Sequence, residues 1–120
     1  METKYTTEEK LDILAKRLFE KLAKDVVSLE VSKLFYLTDY FLIGTVESST
    51  QMKAIIDYLR MDGKETGIQY KHVEGLESLK WALVDFGDIV VHLFLSAERE
   101  LYDLEGLWFQ ADKKEFKDEN

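Results

Sequence analysis

Three carboxylates and two histidines are the side chains in this sequence that suggest chemistry. Asp39, Asp85 and Asp88 could in principle hold a divalent metal, because hard cations take carboxylate oxygens. Metal-dependent nucleotidyl transfer would also need paired carboxylates on a strand near a Gly-Ser turn that holds the triphosphate, and no Gly-Ser dipeptide occurs. Asp85-Phe86-Gly87 matches the magnesium-binding triplet of protein kinases in letters only. The Gly-rich loop, the Val-Ala-Ile-Lys strand and the His-Arg-Asp loop are all missing. Asp85 and Asp88 bracket a turn, where Asp caps its own backbone, and that is the role expected of them.

His72 and His92 are the only histidines. They lack His-x-x-x-His spacing, and the chain has no cysteine, so thiolate zinc sites and disulfides are excluded. Neither has a Ser or Cys nucleophile beside it in sequence. His92 lies inside the apolar run from Ile89 to Leu95, where alternation places it with Val90 and Phe94 on one face. It is expected to be a satisfied sheet histidine. No Gly-x-Gly-x-x-Gly, Walker or Gly-x-Ser-x-Gly sequence is present. The residues therefore assign no catalytic, cofactor or metal site, and the chain does not read as an enzyme.

Trp81 has two readings on the residues alone: a ring that covers the edge of the core, or an anchor for a protein partner. It opens the stretch Trp81-Ala82-Leu83-Val84-Asp85 after the polar Glu77, Ser78 and Lys80. A tryptophan at the exposed end of a strand is a typical anchor of a protein interface. The other tryptophan, Trp108, is expected in the core.

The elements that must position these residues follow from periodicity. Leu11, Leu14, Ala15, Leu18, Phe19 and Leu22 recur at three- and four-residue steps and predict a helix from about Thr7 to Lys24, with Thr6 and Glu9 at capping-box spacing. Val26 to Val31 reads as a strand. Tyr40 to Val46 is apolar on both faces and reads as a central strand. Ser48 and Gln51 repeat the capping spacing ahead of a second helix with Met52, Ile55, Ile56 and Leu59 inside, ended by Gly63. Ile68 to Val73 predicts a short strand. Leu79–Asp85 and Ile89–Leu95 predict a hairpin around Asp85-Phe86-Gly87-Asp88. Ser96 is expected to cap a last helix with Leu101, Leu104, Leu107 and Trp108 on one face, and Gln110–Asn120 to fray as a charged tail. The expected fold is α/β: a mixed five-stranded sheet with flanking helices, in the order α-β-β-α-β-β-β-α. One domain over residues 1–109 and a tail over 110–120 account for the chain.

Composition narrows the partners. The 120 residues are 46% hydrophobic, enough for a packed core. The net charge is −8, and residues 74–105 carry 8 acids against 2 bases. Sequence-specific nucleic-acid binding needs clustered Lys and Arg and is not expected, whereas a basic protein partner suits an acidic face. Met1-Glu2-Thr3-Lys4-Tyr5 does not start a signal peptide, and the longest apolar runs are too short to span a bilayer. A cytoplasmic protein with no membrane association is expected.

Several stretches in one collinear order resemble the ribosomal silencing factor (Iojap-related) family. They are Asp25-Val26-Val27 with Leu29 and Val31; Thr38-Asp39-Tyr40-Phe41-Leu42-Ile43 with Gln51 and Ala54; Glu74-Gly75 followed by Trp81 to His92; and Arg99 to Trp108. The resemblance implies a nucleotidyltransferase-like fold without transferase activity and without a cofactor. It implies a translational repressor that binds the large ribosomal subunit through the universal ribosomal protein uL14 at the intersubunit face, blocks joining of the small subunit, and is a homodimer when free. It places partner contacts at Trp81, and with it we group Asp39, Tyr40 and Asp88. Val46 and Thr50 stand where the family commonly has Gly and Arg. The alternative reading is a divergent metal-dependent nucleotidyltransferase using Asp39, Asp85 and Asp88.

Overall fold

The apolar periodicities meet in a single sheet with two different faces. The computed structural model describes residues 5–118. The elements are α1 (Thr7–Glu20), β1 (Lys24–Glu30), β2 (Tyr40–Val46), α2 (Ser49–Thr66), β3 (His72–Glu74), β4 (Trp81–Asp85), β5 (Ile89–Leu95), α3 (Ser96–Tyr102), α4 (Leu104–Leu107) and β6 (Asp112–Glu115). The strands lie in the order β3-β4-β5-β2-β1-β6. Only β2 and β5 run parallel, Tyr40 beside Ile89 through Val46 beside Leu95. They are joined by the long connection that parallel neighbours need, here through α2, β3 and β4. The other pairings are antiparallel.

One sheet face packs under α1 and α2. Leu11, Leu14 and Leu18 of α1 and Met52, Ile55, Ile56 and Leu59 of α2 bury against Leu42, Val84, Val91 and Leu93. Both helices start as their spacing predicts. Thr6 and Glu9 form the full capping box. Ser48 accepts from the Gln51 amide, while the Gln51 side chain accepts from the Glu47 amide instead of closing the box on Ser48. Arg17 of α1 pairs with Asp62 of α2 at 2.8 Å and fixes the two helices side by side.

The opposite face, built from Val27, Leu29, Val31, Phe41, Ile43 and Phe94, is covered by Phe35 from the β1–β2 connection and by Leu104, Trp108 and Ala111. Arg99 fastens this cover. Its guanidinium donates to the Asp25 carbonyl (2.6 Å), the Thr45 hydroxyl (2.8 Å) and Glu105 (3.0 Å), tying α3 to β1, β2 and α4.

The structure corrects several expectations. The sheet has six strands, not five: Asp112–Glu115, placed in a fraying tail, pairs antiparallel with β1. All four residues are exposed, so hydropathy carried no strand signal. The first helix ends at Glu20, because Leu22 takes a left-handed conformation (φ 68°) and stands exposed. The second helix runs past Gly63 to Thr66 and is capped by the left-handed Gly67. The strand expected over Ile68–Val73 is confined to β3. Ser96 is the first helical residue and not the cap, a position held by Leu95 without a side-chain bond. The last helix is broken at Asp103 (φ 42°), whose carboxylate caps α4 through the Gly106 amide. That break turns Leu104 inward and leaves Leu101 and Leu107 exposed, so the predicted four-residue stripe does not exist.

Candidate docking site

Gly75 sets where Trp81 enters the sheet. Its φ is 92°, and a Cβ there would sit 2.3 Å from the Trp81 carbonyl oxygen. Only glycine combines that conformation with so close an approach. The Leu79 amide donates back to the Gly75 carbonyl, and β4 then begins with Trp81 paired to Phe94.

The Trp81 ring is half-buried on the face away from α1 and α2. It stacks on Phe94 (centroids 4.9 Å apart, interplanar angle 23°) and leans on Tyr102 at 4.7 Å. Its indole N–H donates to Nδ1 of His92 at 3.1 Å. His92 is 5% exposed, and burial pushes its pKa down to about 4, so the ring is neutral. An accepting Nδ1 assigns the proton to Nε2. That buried N–H finds no hydrogen-bond partner among the described residues. His92 thus lies on the face with Val90 and Phe94, as alternation predicts, but only one of its nitrogens is satisfied.

Large apolar side chains of the two segments that cover this face of the sheet stand open to solvent. Tyr36 is 91% and Phe109 76% exposed, and Leu37, Leu101, Tyr102 and Leu107 are also open. They come from the same two segments whose Phe35, Leu104 and Trp108 cover the sheet. Exposed apolar clusters of this kind mark interaction surfaces. Glu98, Glu100, Asp103 and Glu105 lie in the second segment, where Arg99 is the one base and is engaged by Glu105. The flank is therefore acidic. Sequence reasoning missed most of this surface. Tyr36 and Leu37 belong to no periodic element, and Leu101 and Leu107 fit a buried stripe until Asp103 breaks it.

The other three candidate residues gather elsewhere. The Asp39 and Tyr40 amides donate to the Asp88 carbonyl at 3.0 and 3.1 Å. Trp81 pairs with Phe94 and Tyr40 with Ile89, five residues apart along β5, or about 16 Å at the rise of a strand. Tyr40 moreover packs on the α1 side of the sheet. The Asp88 carboxylate takes the Thr7 hydroxyl (2.8 Å) and the Lys10 ammonium (2.7 Å), pinning the start of α1 to the β4–β5 turn. Asp39 is exposed.

The turn role expected of Asp85 is present: its carboxylate accepts the Gly87 amide at 2.7 Å, with Gly87 at φ 95°. Its second oxygen lies 3.5 Å from His72. Among the described residues no three acidic, His or Cys side chains converge as a metal would need. A cleft of about 380 Å³ beside Arg99 is lined by charges that already pair with one another, Glu105 with both Arg99 and Lys113. No helix among the described residues is long and apolar enough to cross a membrane.

Residues 4–120 match the family model described as ribosomal silencing factor during starvation. The ribosomal silencing factor RsfS of Bacillus subtilis is 41% identical over 101 residues, 84% of this chain and 86% of that protein. The Mus musculus protein named mitochondrial assembly of ribosomal large subunit protein 1 is 36% identical over 101 residues, 82% of this chain and 44% of the mouse protein. A crystal structure of a Chromobacterium violaceum protein superposes with a TM-score of 0.82 at 36% identity, covering 88% of each chain.

Proposed function

The chain belongs to the RsfS family of ribosomal silencing factors, and from that premise we propose that it represses translation by docking on the large ribosomal subunit. The partner is ribosomal protein uL14 at the intersubunit face, and the bound protein keeps the small subunit from joining. The observation that carries this reading is the set of open apolar side chains on the segments that cover the Trp81 face of the sheet, flanked by acidic side chains. An apolar centre suits a protein partner, and an acidic flank suits the basic surface of a ribosomal protein. The name of the mouse relative, which speaks of the ribosomal large subunit, supports the choice of subunit.

Of the four residues grouped from sequence, Trp81 carries docking, and Asp39 adds an exposed charge. Asp88 and Tyr40 hold the scaffold from the other end of the sheet. Free in the cytoplasm, the protein pairs with a second copy, which would shield apolar side chains such as Tyr36 and Phe109. The fold is read as nucleotidyltransferase-like with its transferase chemistry absent. The carboxylates that such chemistry would use are engaged in a turn (Asp85) and in anchoring α1 (Asp88).

Co-sedimentation tests the proposal. The protein should travel with isolated large subunits and be absent from assembled ribosomes. Equal recovery in every ribosomal fraction would rule out steric exclusion. Turnover of a nucleotide with magnesium or manganese, lost in Asp85→Asn, would replace the reading with a transferase.

A further inference from the structure

We infer that His92 is a positioning residue for docking: its Nδ1 holds the Trp81 indole in the orientation that the partner meets. The inference rests on the reading of Trp81 as the docking residue. Three observations carry it. The indole N–H is spent inside the protein on Nδ1, at 3.1 Å, so the partner meets only the apolar edge of the ring. Phe94 stacks on the ring and Tyr102 leans on it at a tilt of 42°, apolar contacts that do not by themselves select one side-chain rotamer. The hydrogen bond to His92 is the single directional contact that selects one ring orientation.

The second nitrogen takes no part in holding the ring. With Nδ1 accepting, Nε2–H is buried without a partner among the described residues. A buried unmade hydrogen bond costs stability. A leucine would pack beside Phe41 and Phe94 and remove that N–H, but it would leave the Trp81 indole N–H without its acceptor. What His92 supplies that leucine would not is the acceptor aimed at Trp81. A rotamer held before binding does not have to be ordered during binding, which is where affinity is gained.

Two substitutions separate position from stability. His92→Leu removes both nitrogens and keeps the volume. It trades one unmade hydrogen bond for another and should melt close to wild type, yet bind isolated large subunits about fivefold more weakly, the cost of ordering one large side chain. His92→Asn keeps an acceptor at the δ position and loses volume. It should melt earlier and bind within about twofold of wild type, since the hydrogen bond is retained. A purely structural role would make affinity follow melting temperature, which is the opposite order. The chain has two tryptophans, so two indole N–H resonances report the ring directly. The Trp81 signal should shift and exchange faster with solvent in His92→Leu, and stay near its wild-type position in His92→Asn. Wild-type affinity in His92→Leu, while Trp81→Ala loses affinity, would overturn the inference and leave the docking reading intact. Wild-type affinity in Trp81→Ala would remove the docking reading itself. An unchanged Trp81 resonance in His92→Leu would refute the hydrogen bond independently of any binding.

Discussion

A Cβ built on Gly75 would lie 2.3 Å from the carbonyl oxygen of Trp81. The loop leading into β4 and the first residue of that strand are thus fitted together through backbone atoms, which do not yield as a side-chain tip does. Gly75→Ala would add this clash to a left-handed φ of 92°. The expected loss is about 2 kcal/mol or more, with β4 displaced at its Trp81 end. Thermal melts should show it, and a melting temperature equal to wild type would refute the backbone fit.

His92 makes stability depend on pH in a defined window. Folded, it titrates at about 4; unfolded, near 6.5. Between those values the unfolded chain binds a proton that the folded chain does not. Stability therefore falls as pH drops below 6.5 and this loss is complete below 4. It amounts to about 3 kcal/mol. Denaturant titrations from pH 7 to 4 should lose most of this slope in His92→Leu, while the acid unfolding caused by carboxylates below about pH 4 remains. An identical slope in the variant would mean that other groups set it.

The Asp39 amide donates to the Asp88 carbonyl at 3.0 Å, yet the two side chains do different work, and substitution should tell them apart. The Asp88 carboxylate joins Thr7 and Lys10 to the β4–β5 turn. Asp88→Ala should cost about 2 kcal/mol, as for a charge-assisted hydrogen bond in a partly buried place. Asp39 is exposed, so Asp39→Ala should stay within about 0.5 kcal/mol of wild type. Its effect belongs to the association rate with large subunits, slowed at low salt and matching wild type as salt rises. Comparable destabilisation by the two substitutions would contradict this division.

The parts of the fold that were legible in sequence are those where local chemistry decides the outcome. Thr6 with Glu9 and Ser48 with Gln51 mark helix starts, because an oxygen three residues ahead of an amide satisfies it wherever the helix goes. Asp85 and Gly87 mark the hairpin for the same reason. The apolar run Tyr40–Val46 announced a central strand because both its faces are covered. What escaped was decided at a distance. Asp112–Glu115 is polar on both faces and becomes a strand only because the edge of β1 lies open to it. Asp103 takes φ 42° inside a convincing helical period, and that one residue redirects Leu101, Leu104 and Leu107. The candidate site was legible in Trp81 alone. Its hydrogen bond to His92 links residues eleven apart through strand pairing, and the open side chain of Tyr36 belongs to a connection with no period.

Tyr36 gives the cleanest test of the docking surface. Trp81→Ala should weaken large-subunit binding by about 2 kcal/mol, roughly thirtyfold, as for an interface hot spot. That substitution also strips Phe94 and Tyr102 of their ring partner and leaves His92 Nδ1 without its donor, so stability falls with affinity. Trp108→Ala should cost about 3 kcal/mol of stability by unpacking Phe35 and Phe41, with little change in the affinity of the folded fraction. Tyr36 is 91% exposed and lies beside Phe35, their ring centroids 6.4 Å apart. Tyr36→Ala should therefore melt within about 0.5 kcal/mol of wild type. If the surface around Trp81 is what the ribosome covers, the same variant loses at least about 1 kcal/mol of binding, roughly fivefold. Binding titrations against isolated large subunits, run beside thermal melts of all three variants, decide it. Unchanged affinity in Tyr36→Ala together with Phe109→Ala would move the contact away from this face, because no folding defect would be present to mask a loss.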